Sequence, residues 1–282
     1  MGRVWLVTGA SSGFGRAITE AAVAAGDVVV AAARRTAPLD DLVAAYPDQV
    51  EALALDVTDI AGAGAAVNDV AVRYGRIDVL VNNAGRGLVG AVEETTDAEL
   101  RDLMELHFFG PAALTRAVLP HMRGRGSGAI VQVTSMGGQL AFAGVGGYCA
   151  TKFALEGLSE ALADEVAPLG IRVLIVEPGA FRTAFAGPGA LRLSAPLDAY
   201  RDTVGPVRTN LPGGTGREPG DPAKAAAAIL AALDADKAPL RLPLGNDAAD
   251  AIGERLAVTG AELRSWEEVV RGTDFDDVAA RR

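Results

Sequence analysis

Cysteine, histidine and lysine are scarce in this sequence of 282 residues. It contains one cysteine, Cys149, and two histidines, His107 and His121. A single cysteine excludes an intrachain disulfide, and so few histidines and cysteines predict no metal site. Only three of the 26 basic residues are lysines: Lys152, Lys224 and Lys237. Arginine is therefore the usual cation of this chain. For this reason, a lysine that lies in a candidate active site slightly favours a role in the chemistry over a role as a positive charge alone.

Positive charge and long apolar runs are also lacking. The 36 acidic residues outnumber the 26 basic ones, which gives a formal net charge of −10. Nucleic-acid-binding proteins are usually basic, so no nucleic-acid partner is expected. No stretch approaches the roughly 18 apolar residues of a membrane-spanning helix, and the apolar run at residues 4–7 is too short for a signal peptide. We therefore expect a cytoplasmic protein without a membrane partner.

The sequence alternates between short β-rich runs and longer alanine-rich segments. The predicted strands lie at residues 4–7, 28–32, 51–55, 77–81, 129–134, 172–176 and 240–244. Most are nearly continuous apolar runs, as in the strands of a parallel sheet that is covered on both faces. The predicted helices lie at residues 15–25, 39–46, 60–74, 97–122, 148–168 and 222–234. This pattern predicts one α/β domain with a doubly wound, parallel, seven-stranded sheet and helices on both faces.

Residues 185–222 interrupt the alternation with several Gly-Pro and Pro-Gly pairs. No strand or helix pattern is visible there, and long irregular segments of compact domains are usually lids or binding loops. We expect a mobile substrate lid, with an inert insertion as the alternative. Residues 248–282 are predicted to form an amphipathic helical extension that becomes acidic and frayed around residues 274–277.

A glycine-rich turn directly follows the first predicted strand. Its spacing is Gly-x3-Gly-x-Gly, formed by Gly9, Gly13 and Gly15 with Ser11, Ser12 and Phe14 among them. Gly9 permits the tight turn, Gly13 lets the backbone approach a pyrophosphate, and Gly15 lets helix and strand pack closely. The free amides of the next helix would face the anion. Because the glycines lie between the first predicted strand and the first predicted helix, they predict a dinucleotide site. The same glycines outside this position would equally suit an ordinary tight turn.

The end of the second predicted strand indicates which dinucleotide is preferred. A carboxylate there would bind the ribose 2′-hydroxyl of NAD, but this sequence has Arg34 and Arg35. The charge and fork of a guanidinium suit a 2′-phosphate, so NADP(H) is predicted and NAD(H) is the alternative. The arginine bias of the chain weakens this argument, because a solvated pair would look the same. Asp56, next to Val57 after the third strand, is expected at the adenine amino group, or is a plain loop aspartate.

A second set of residues, Ser135, Tyr148 and Lys152, suits proton transfer to a carbonyl oxygen. Ser135 ends the fifth predicted strand, and Tyr148 and Lys152 lie one turn apart on the helix that follows. A free tyrosine titrates at about pH 10, well above neutrality. The Lys152 ammonium and the positive helix N-terminus are expected to favour the phenolate. Ser135 is expected to hydrogen-bond a substrate carbonyl and hold it beside the phenol.

Together these motifs resemble the short-chain dehydrogenase/reductase family over roughly residues 3–185, in order and with compatible spacings. The matching segments are Thr8-Gly9-x3-Gly13-x-Gly15, Asn82-Asn83-Ala84-Gly85, Ser135, Tyr148-x3-Lys152 and Pro178-Gly179-x3-Thr183. More narrowly, residues 148–158 and 83–88 are similar to the hydroxysteroid-dehydrogenase-like branch.

The family resemblance implies a Rossmann-type fold, a nicotinamide cofactor and hydride transfer to or from a carbonyl carbon. It implies that Tyr148 is the general acid in reduction and the base in oxidation. Lys152 would lower the pKa of Tyr148 and bind the nicotinamide ribose, and Ser135 would orient the substrate oxygen. The further residues expected to line the cofactor are Asn82, Ala84, Gly85, Pro178, Gly179 and Thr183, together with Val57. The resemblance also implies a homodimer or homotetramer that pairs the helices at residues 97–122 and 148–168.

One position departs from the family pattern. Members commonly carry an asparagine on the helix before the serine strand, where it helps a proton-relay water near the lysine. Counting back 41 residues from Tyr148 gives His107 here. Histidine can donate, accept and titrate near neutrality. His107 therefore either sustains the relay or is a hydrogen-bonded core residue.

The predicted function is an NADP(H)-dependent oxidoreductase acting on a small-molecule ketone or secondary alcohol of medium size and apolar character. The apolar preference comes from five side chains that would equally suit core packing: Phe142, Phe181, Phe185, Leu191 and Leu193. One alternative is a non-catalytic dinucleotide-binding sensor or scaffold, which would not need the complete Ser135, Tyr148 and Lys152 set. Another is an epimerase or dehydratase of nucleotide sugars, for which the C-terminal region is short.

Overall fold

The structure, a computed structural model, describes residues 2–187 and 189–275. Its strands are β1 (Val4–Thr8), β2 (Val28–Ala33), β3 (Val50–Ala54), β4 (Val79–Asn82), β5 (Gly87–Val89), β6 (Gly128–Val133), β7 (Ile171–Pro178), β8 (Leu191–Leu193) and β9 (Arg241–Leu244). Seven of them form one parallel sheet in the order β3-β2-β1-β4-β6-β7-β9. The predicted fold class, a Rossmann-type α/β domain, is confirmed.

Helices cover both faces of this sheet. They are α1 (Gly13–Ala24), α2 (Asp40–Ala45), α3 (Ile60–Tyr74), α4 (Asp97–Met104), α5 (Gly110–Arg125), α6 (Gly146–Val166), α7 (Gly205–Gly213), α8 (Pro222–Asp234), α9 (Asn246–Ser265) and α10 (Glu267–Arg271). A π-helix, Glu105–Phe109, joins α4 to α5, so the single helix predicted at residues 97–122 is interrupted. Within the described ranges, no helix is both long and apolar enough to cross a membrane.

The side chains of β1 alternate between two buried cores. Trp5 and Val7 pack on one face of the sheet with Ile18 of α1 and Ile229 of α8. Leu6 packs on the opposite face with residues of α3, α5 and α6. Because both faces are covered, residues 4–7 of the strand are all apolar, as predicted. β1 lies between β2 and β4, where the strand order reverses, so the crevice for a ligand opens at its carboxyl end.

Residues 185–222 are more regular than their sequence suggests. β8 pairs in parallel with β5 to form a separate two-stranded sheet, and α7 follows it. The sequence pattern gives no sign of these strands, because strands of three residues leave no readable periodicity. Met1, Pro188 and residues 276–282 lie outside the described residues, and the last of these ranges includes two of the four positions predicted to be frayed, 276 and 277.

Candidate active site

The glycine-rich turn lies at the reversal point between β1 and β4. Gly9 and Gly13 have positive φ angles of 65° and 55°, which residues with a Cβ rarely adopt. A Cβ on Gly15 would overlap the Gly9 carbonyl oxygen, so α1 approaches the end of β1 as closely as predicted. Ser12 precedes α1 without a side-chain capping bond to any described residue. The first amides of α1 are therefore open to an anion, and the turn fits a dinucleotide pyrophosphate.

Thr8 and Asn83, which no prediction placed at the site, attach the glycine turn to the end of β4. Thr8 Oγ1 accepts hydrogen bonds from the backbone N–H groups of Asn83 and Ala84, at 3.0 and 3.1 Å. Asn83 Nδ2 donates to the carbonyl oxygens of Thr8 and Gly9, at 2.9 and 3.3 Å. Both residues belong to recognised motifs, but spacing alone does not show which of two consecutive asparagines faces the turn.

The side chain of Asn82 points away from the glycine turn. It is buried, and its Nδ2 donates to Gln132 Oε1 at 3.0 Å and to Thr115 Oγ1 at 3.3 Å. Its Oδ1 has no hydrogen-bond partner in the part of the chain that the structure describes. Asn82 therefore holds β4 to β6 and α5, and its neighbour Asn83 makes the contacts on the cofactor side.

The segment after β7 covers the glycine turn. Two of the residues predicted to hold the cofactor lie where it starts, since Pro178 ends β7 and Gly179 follows. A Cβ on Gly13 would lie 3.2 Å from the Cβ of Thr183, so Thr183 sits directly over the turn. The rings of Phe14 and Phe181 pack with their centroids 5.0 Å apart. Phe181 therefore belongs to the phosphate end of the crevice, not to the substrate side.

Arg34 and Asp56 lie close together at the ends of β2 and β3. Arg34 is exposed. Asp56 Oδ1 accepts hydrogen bonds from the Thr58 backbone N–H at 3.0 Å and from the Thr58 hydroxyl at 2.8 Å. The backbone bond is the main cause of the lowered pKa of Asp56, and the charge of Arg34 adds to it. Arg34 has no hydrogen bond or ion pair with any described residue and lies at the edge predicted for the adenosine ribose, with the buried Val57 beside Asp56.

The three chemical residues meet at the carboxyl end of β6. Ser135 lies two residues after the end of β6, accepts a hydrogen bond from Gly137 N–H at 3.0 Å and is in hydrogen-bonding contact with Tyr148. Lys152 Nζ lies 5.7 Å from the centroid of the Tyr148 ring and donates to the Val133 carbonyl oxygen at 3.0 Å. The predicted grouping of serine, tyrosine and lysine is present in the structure.

Burial controls the protonation of this group. It raises the pKa of Tyr148 well above its ordinary value, and the contact with Ser135 offsets part of that rise. Burial also lowers the pKa of Lys152 to about 8, while the charge of Glu156 acts in the opposite direction. The lysine and the helix N-terminus, taken from the sequence, predict a lowered pKa for Tyr148. The direction is reversed because a low-dielectric environment disfavours both phenolate and ammonium.

His107 reaches the chemical residues from the π-helix. It is fully buried, and its ring meets that of Tyr148 edge-on with centroids 5.6 Å apart. Nε2 accepts a hydrogen bond from Arg86 N–H at 3.1 Å. Nδ1 lies 2.8 Å from the Thr151 hydroxyl, which itself donates to the Tyr148 carbonyl, so Nδ1 carries the proton. Burial lowers the pKa of His107 well below its usual value, and the charges of Lys152 and Arg86 add to this.

The contacts of His107 bear on the two interpretations of its role. A neutral ring with both nitrogens occupied by protein groups fits a hydrogen-bonded core residue. Its participation in a proton relay stays a prediction. π-helical turns occur often at functional sites, and here the turn brings His107 under the ring of Tyr148.

The substrate side of Tyr148 is bounded by the ring of Phe185, which meets it edge-on at 5.7 Å between centroids. A Cβ on Gly87 would lie 3.3 Å from the Phe185 ring and would collide with Leu191, so both side chains close over β5. Phe142 and Leu193 are 41% and 49% exposed. Phe185 is therefore an apolar side chain in direct contact with Tyr148.

Comparison with known proteins agrees with this geometry. The family model for short chain dehydrogenases matches residues 3–190. The crystal structure of a short-chain dehydrogenase from Streptomyces avermitilis is similar with a TM-score of 0.93 and 64% identity, covering 98% of this chain and 100% of that chain. The oxidoreductase BOA17 of Botryotinia fuckeliana is 37% identical over 270 residues, which are 95% of this chain and 98% of that protein.

A structure with a bound cofactor is also among the similar ones. The 3-ketoacyl-(acyl-carrier-protein) reductase from Brucella melitensis, complexed with NADH, has 27% identity and a TM-score of 0.72 over 86% of this chain and 96% of that chain. Fold and site together define a nicotinamide-dinucleotide oxidoreductase. The chain belongs to the short-chain dehydrogenase/reductase family, as the motifs predicted.

Proposed function

We propose that this protein is an NADP(H)-dependent oxidoreductase that interconverts a ketone and a secondary alcohol, with Tyr148 as general acid and base. The arrangement of Ser135, Tyr148 and Lys152 beside the glycine-rich turn carries the proposal. When bound, the nicotinamide supplies a hydride to the carbonyl carbon in reduction and accepts it in oxidation. Ser135 would hold the substrate oxygen beside the phenol, and Tyr148 would give that oxygen its proton.

The protonation of the site supports reduction as the direction near neutral pH. Because burial raises the pKa of Tyr148, the phenol keeps the proton that a general acid must donate. Lys152, whose pKa lies at about 8, is mostly an ammonium under the same conditions. It is close enough to Tyr148 to stabilise negative charge that develops on the phenol oxygen as the proton leaves. Oxidation would need the phenolate and is expected to require alkaline pH.

The proposed substrate is a medium-sized apolar ketone of alicyclic or aryl type. Phe185 and Leu191 support it, because they provide an apolar wall next to Tyr148. The test is NADPH consumption by the purified protein with a panel of cyclic and aryl ketones. Tight NADPH binding without turnover of any ketone would favour the alternative of a sensor or scaffold.

The proposed cofactor preference predicts a selective effect of Arg34. We expect Arg34→Ser to weaken NADPH binding about tenfold, because a charge-assisted bond to the 2′-phosphate is lost. NADH binding should not change, since NADH has no such phosphate. The dissociation constants can be measured by fluorescence titration. Arg35→Ser is the matched control, because Arg35 is exposed beside Arg34. Equal losses for both cofactors, or tighter NADH binding by the unaltered protein, would contradict the assignment.

The proposal includes residues 185–222 as a lid over the substrate side, and Glu94 is its attachment point. The Glu94 side chain is 1% exposed and accepts a hydrogen bond from Leu197 N–H at 2.8 Å. Its other oxygen accepts from Ala91 N–H at 2.7 Å and pairs with Arg208 Nη2 at 2.6 Å. One carboxylate therefore ties two separate parts of the lid segment to the residues after β5.

We expect Glu94→Gln to loosen the lid, because the amide cannot accept all of these bonds. The measurement is hydrogen exchange of the backbone amides in residues 191–208, which should become faster. The bonds from Leu197 and Ala91 N–H, and then Arg208, lower the pKa of Glu94. The attachment therefore contributes fully above the ordinary pKa of a glutamate and is lost as the pH falls from there through the lowered pKa of Glu94. Acidification of the unaltered protein should open the same segment.

The control for this experiment is the neighbouring Glu93→Gln, which removes only an exposed bond from the Tyr200 hydroxyl to Glu93 Oε2, 2.6 Å long. Because this bond is made by Tyr200, the control is read at residues 202–208, where hydrogen exchange should not change. Unchanged exchange in Glu94→Gln would show that the lid is held by its packing and not by Glu94.

The proposed assembly is a homodimer or homotetramer that pairs the helical segments at residues 97–122 and 148–168 with their copies. Large apolar side chains on the outside of these helices support it. Phe109, just before α5, is 44% exposed, and Phe153 of α6 is 43% exposed. Pairing would remove both from water, which is favourable in proportion to the apolar area covered.

A further inference from the structure

Two buried carboxyl groups lie directly behind the chemical residues. Glu156 is one turn after Lys152 on α6, and Glu177 is the residue before Pro178 on β7. They are 4% and 0% exposed. The Met136–Gly138 turn after Ser135 packs tightly on this pair, because a Cβ on Gly138 would lie 2.7 Å from Glu156 Cγ.

The two carboxyl groups share one cation. Arg241 Nε from β9 lies 3.1 Å from Glu156 Oε2 and 3.4 Å from Glu177 Oε1. Glu156 Oε1 accepts a hydrogen bond from the Thr134 hydroxyl at 2.7 Å, and Glu177 Oε1 accepts from Gln139 Nε2 at 2.5 Å. Glu177 Oε2 has no partner among the described residues if the group is ionised. Two negative charges on one guanidinium at this depth would be poorly compensated.

A proton on Glu177 removes this difficulty. A protonated carboxyl has an O–H to donate, and Glu177 is in hydrogen-bonding contact with Glu156. Burial raises the pKa of Glu177 to about 7, the bond from Gln139 opposes the rise, and the charge of Glu156 adds to it. The other charged groups around the pair are Lys152 and Glu160 of α6 and Arg241 of β9. Glu160 is 60% exposed and lies 3.4 Å from Arg241 Nη2.

The contacts of Glu156 and Glu177 connect them to Ser135 and Lys152. Thr134 adjoins Ser135, and Lys152 donates to the carbonyl of Val133 on the same strand. Lys152 and Glu156 are four residues apart on the buried face of α6. We infer that Glu156 and Glu177 share one proton and act together as a single buried negative charge that keeps Lys152 in its charged form. They are positioning residues, and the inference rests on the proposed role of Lys152.

The shared proton can be detected by infrared spectroscopy without any substrate. Between about pH 6 and about pH 8.5 ordinary carboxyl groups are already ionised, so a band of a protonated carboxyl that disappears in this range reports the pair. We expect this band in the unaltered protein and in Glu160→Gln, the matched control on the same arginine. It should be absent from Glu177→Gln and from Glu156→Gln, because the remaining partner then keeps the negative charge. A missing band in the unaltered protein, or a band that survives both variants, would overturn the shared proton.

The effect on Lys152 can be measured by NMR, because the chain has only three lysines. Labelling with ¹³C at the lysine ε-carbon, with Lys224→Arg and Lys237→Arg for assignment, gives the pKa of Lys152 directly. We expect the double variant Glu156→Gln/Glu177→Gln to lower that pKa by about one pH unit or more, because no buried counter-charge remains. Each single variant should shift it much less.

The outcomes separate this inference from the proposed function. An unchanged Lys152 titration in the double variant, or an equal shift in Glu177→Gln alone, would overturn the single-charge interpretation. If the double variant does not fold, the two single variants still test the inference. Each of them must lose the infrared band while the pKa of Lys152 stays close to that of the unaltered protein. Absence of ketone turnover would refute the proposed function and leave both spectroscopic results standing.

Discussion

Replacement of Tyr148 with phenylalanine is expected to lower ketone reduction by about 10²- to 10⁴-fold, the usual contribution of a positioned general acid. The ring and its edge-on contacts with His107 and Phe185 are kept, so only the proton donor is lost. NADPH affinity and thermal stability should change little. The measurements are kcat with a ketone from the panel, the dissociation constant of NADPH and the thermal unfolding midpoint.

Tyr46→Phe is the matched control for this experiment. Tyr46 is 42% exposed and follows α2, away from the candidate site, so its hydroxyl should not matter for turnover. Activity that survives Tyr148→Phe would refute the proton-transfer role. A loss of activity together with weakened NADPH binding or unfolding would show that the tyrosine holds the site together instead.

His107→Phe is expected to lower the free energy of unfolding by about 2–4 kcal/mol. The ring fits a similar volume, but the Arg86 N–H loses its acceptor and Thr151 loses its donor, and each lost partner at a buried site costs about 1–3 kcal/mol. Chemical denaturation measures the change. His121→Phe is the matched control, because His121 makes an exposed bond to Asn68 and should matter by no more than about 0.5 kcal/mol.

His107→Asn separates the two interpretations of this histidine. A shorter amide can donate and accept as the imidazole does, and the family usually has asparagine at this position. Preserved or higher kcat would support a relay that both residues sustain. Reduced stability with an unchanged pH profile of kcat would identify His107 as a packing residue. No loss of stability in His107→Phe would contradict the hydrogen bonds described for the ring.

Local patterns predicted most of the fold and the outline of the site. The seven strands of the main sheet and the helices beside them follow from apolar runs and their spacing, because neighbours in sequence decide helix and strand periodicity. The missed elements are β5, β8 and α7. β5 and β8 are too short to show a period, and each depends on pairing with the other from a distant part of the chain.

The site residues divide in the same way. The glycine turn and the spacing of Tyr148 and Lys152 were readable, because each motif lies within one turn or one helix. The separate roles of Asn82 and Asn83 were not, since β6 and α5 decide which way each side chain points. The direction of the pKa shift of Tyr148 was also missed, because burial by remote residues outweighs a lysine one turn away.

The sequence by itself determined the family, the α/β sheet and the residue types available for proton transfer, because these depend on composition and on spacing along the chain. Only the tertiary structure decided the protonation state and the hydrogen-bond partners of these residues. The neutral ring of His107, the phenol form of Tyr148 and the pairing of Glu156 with Glu177 all arise where separate elements exclude water and bring distant polar groups together. The free energy of a buried charge depends on those neighbours, and they are not adjacent in sequence.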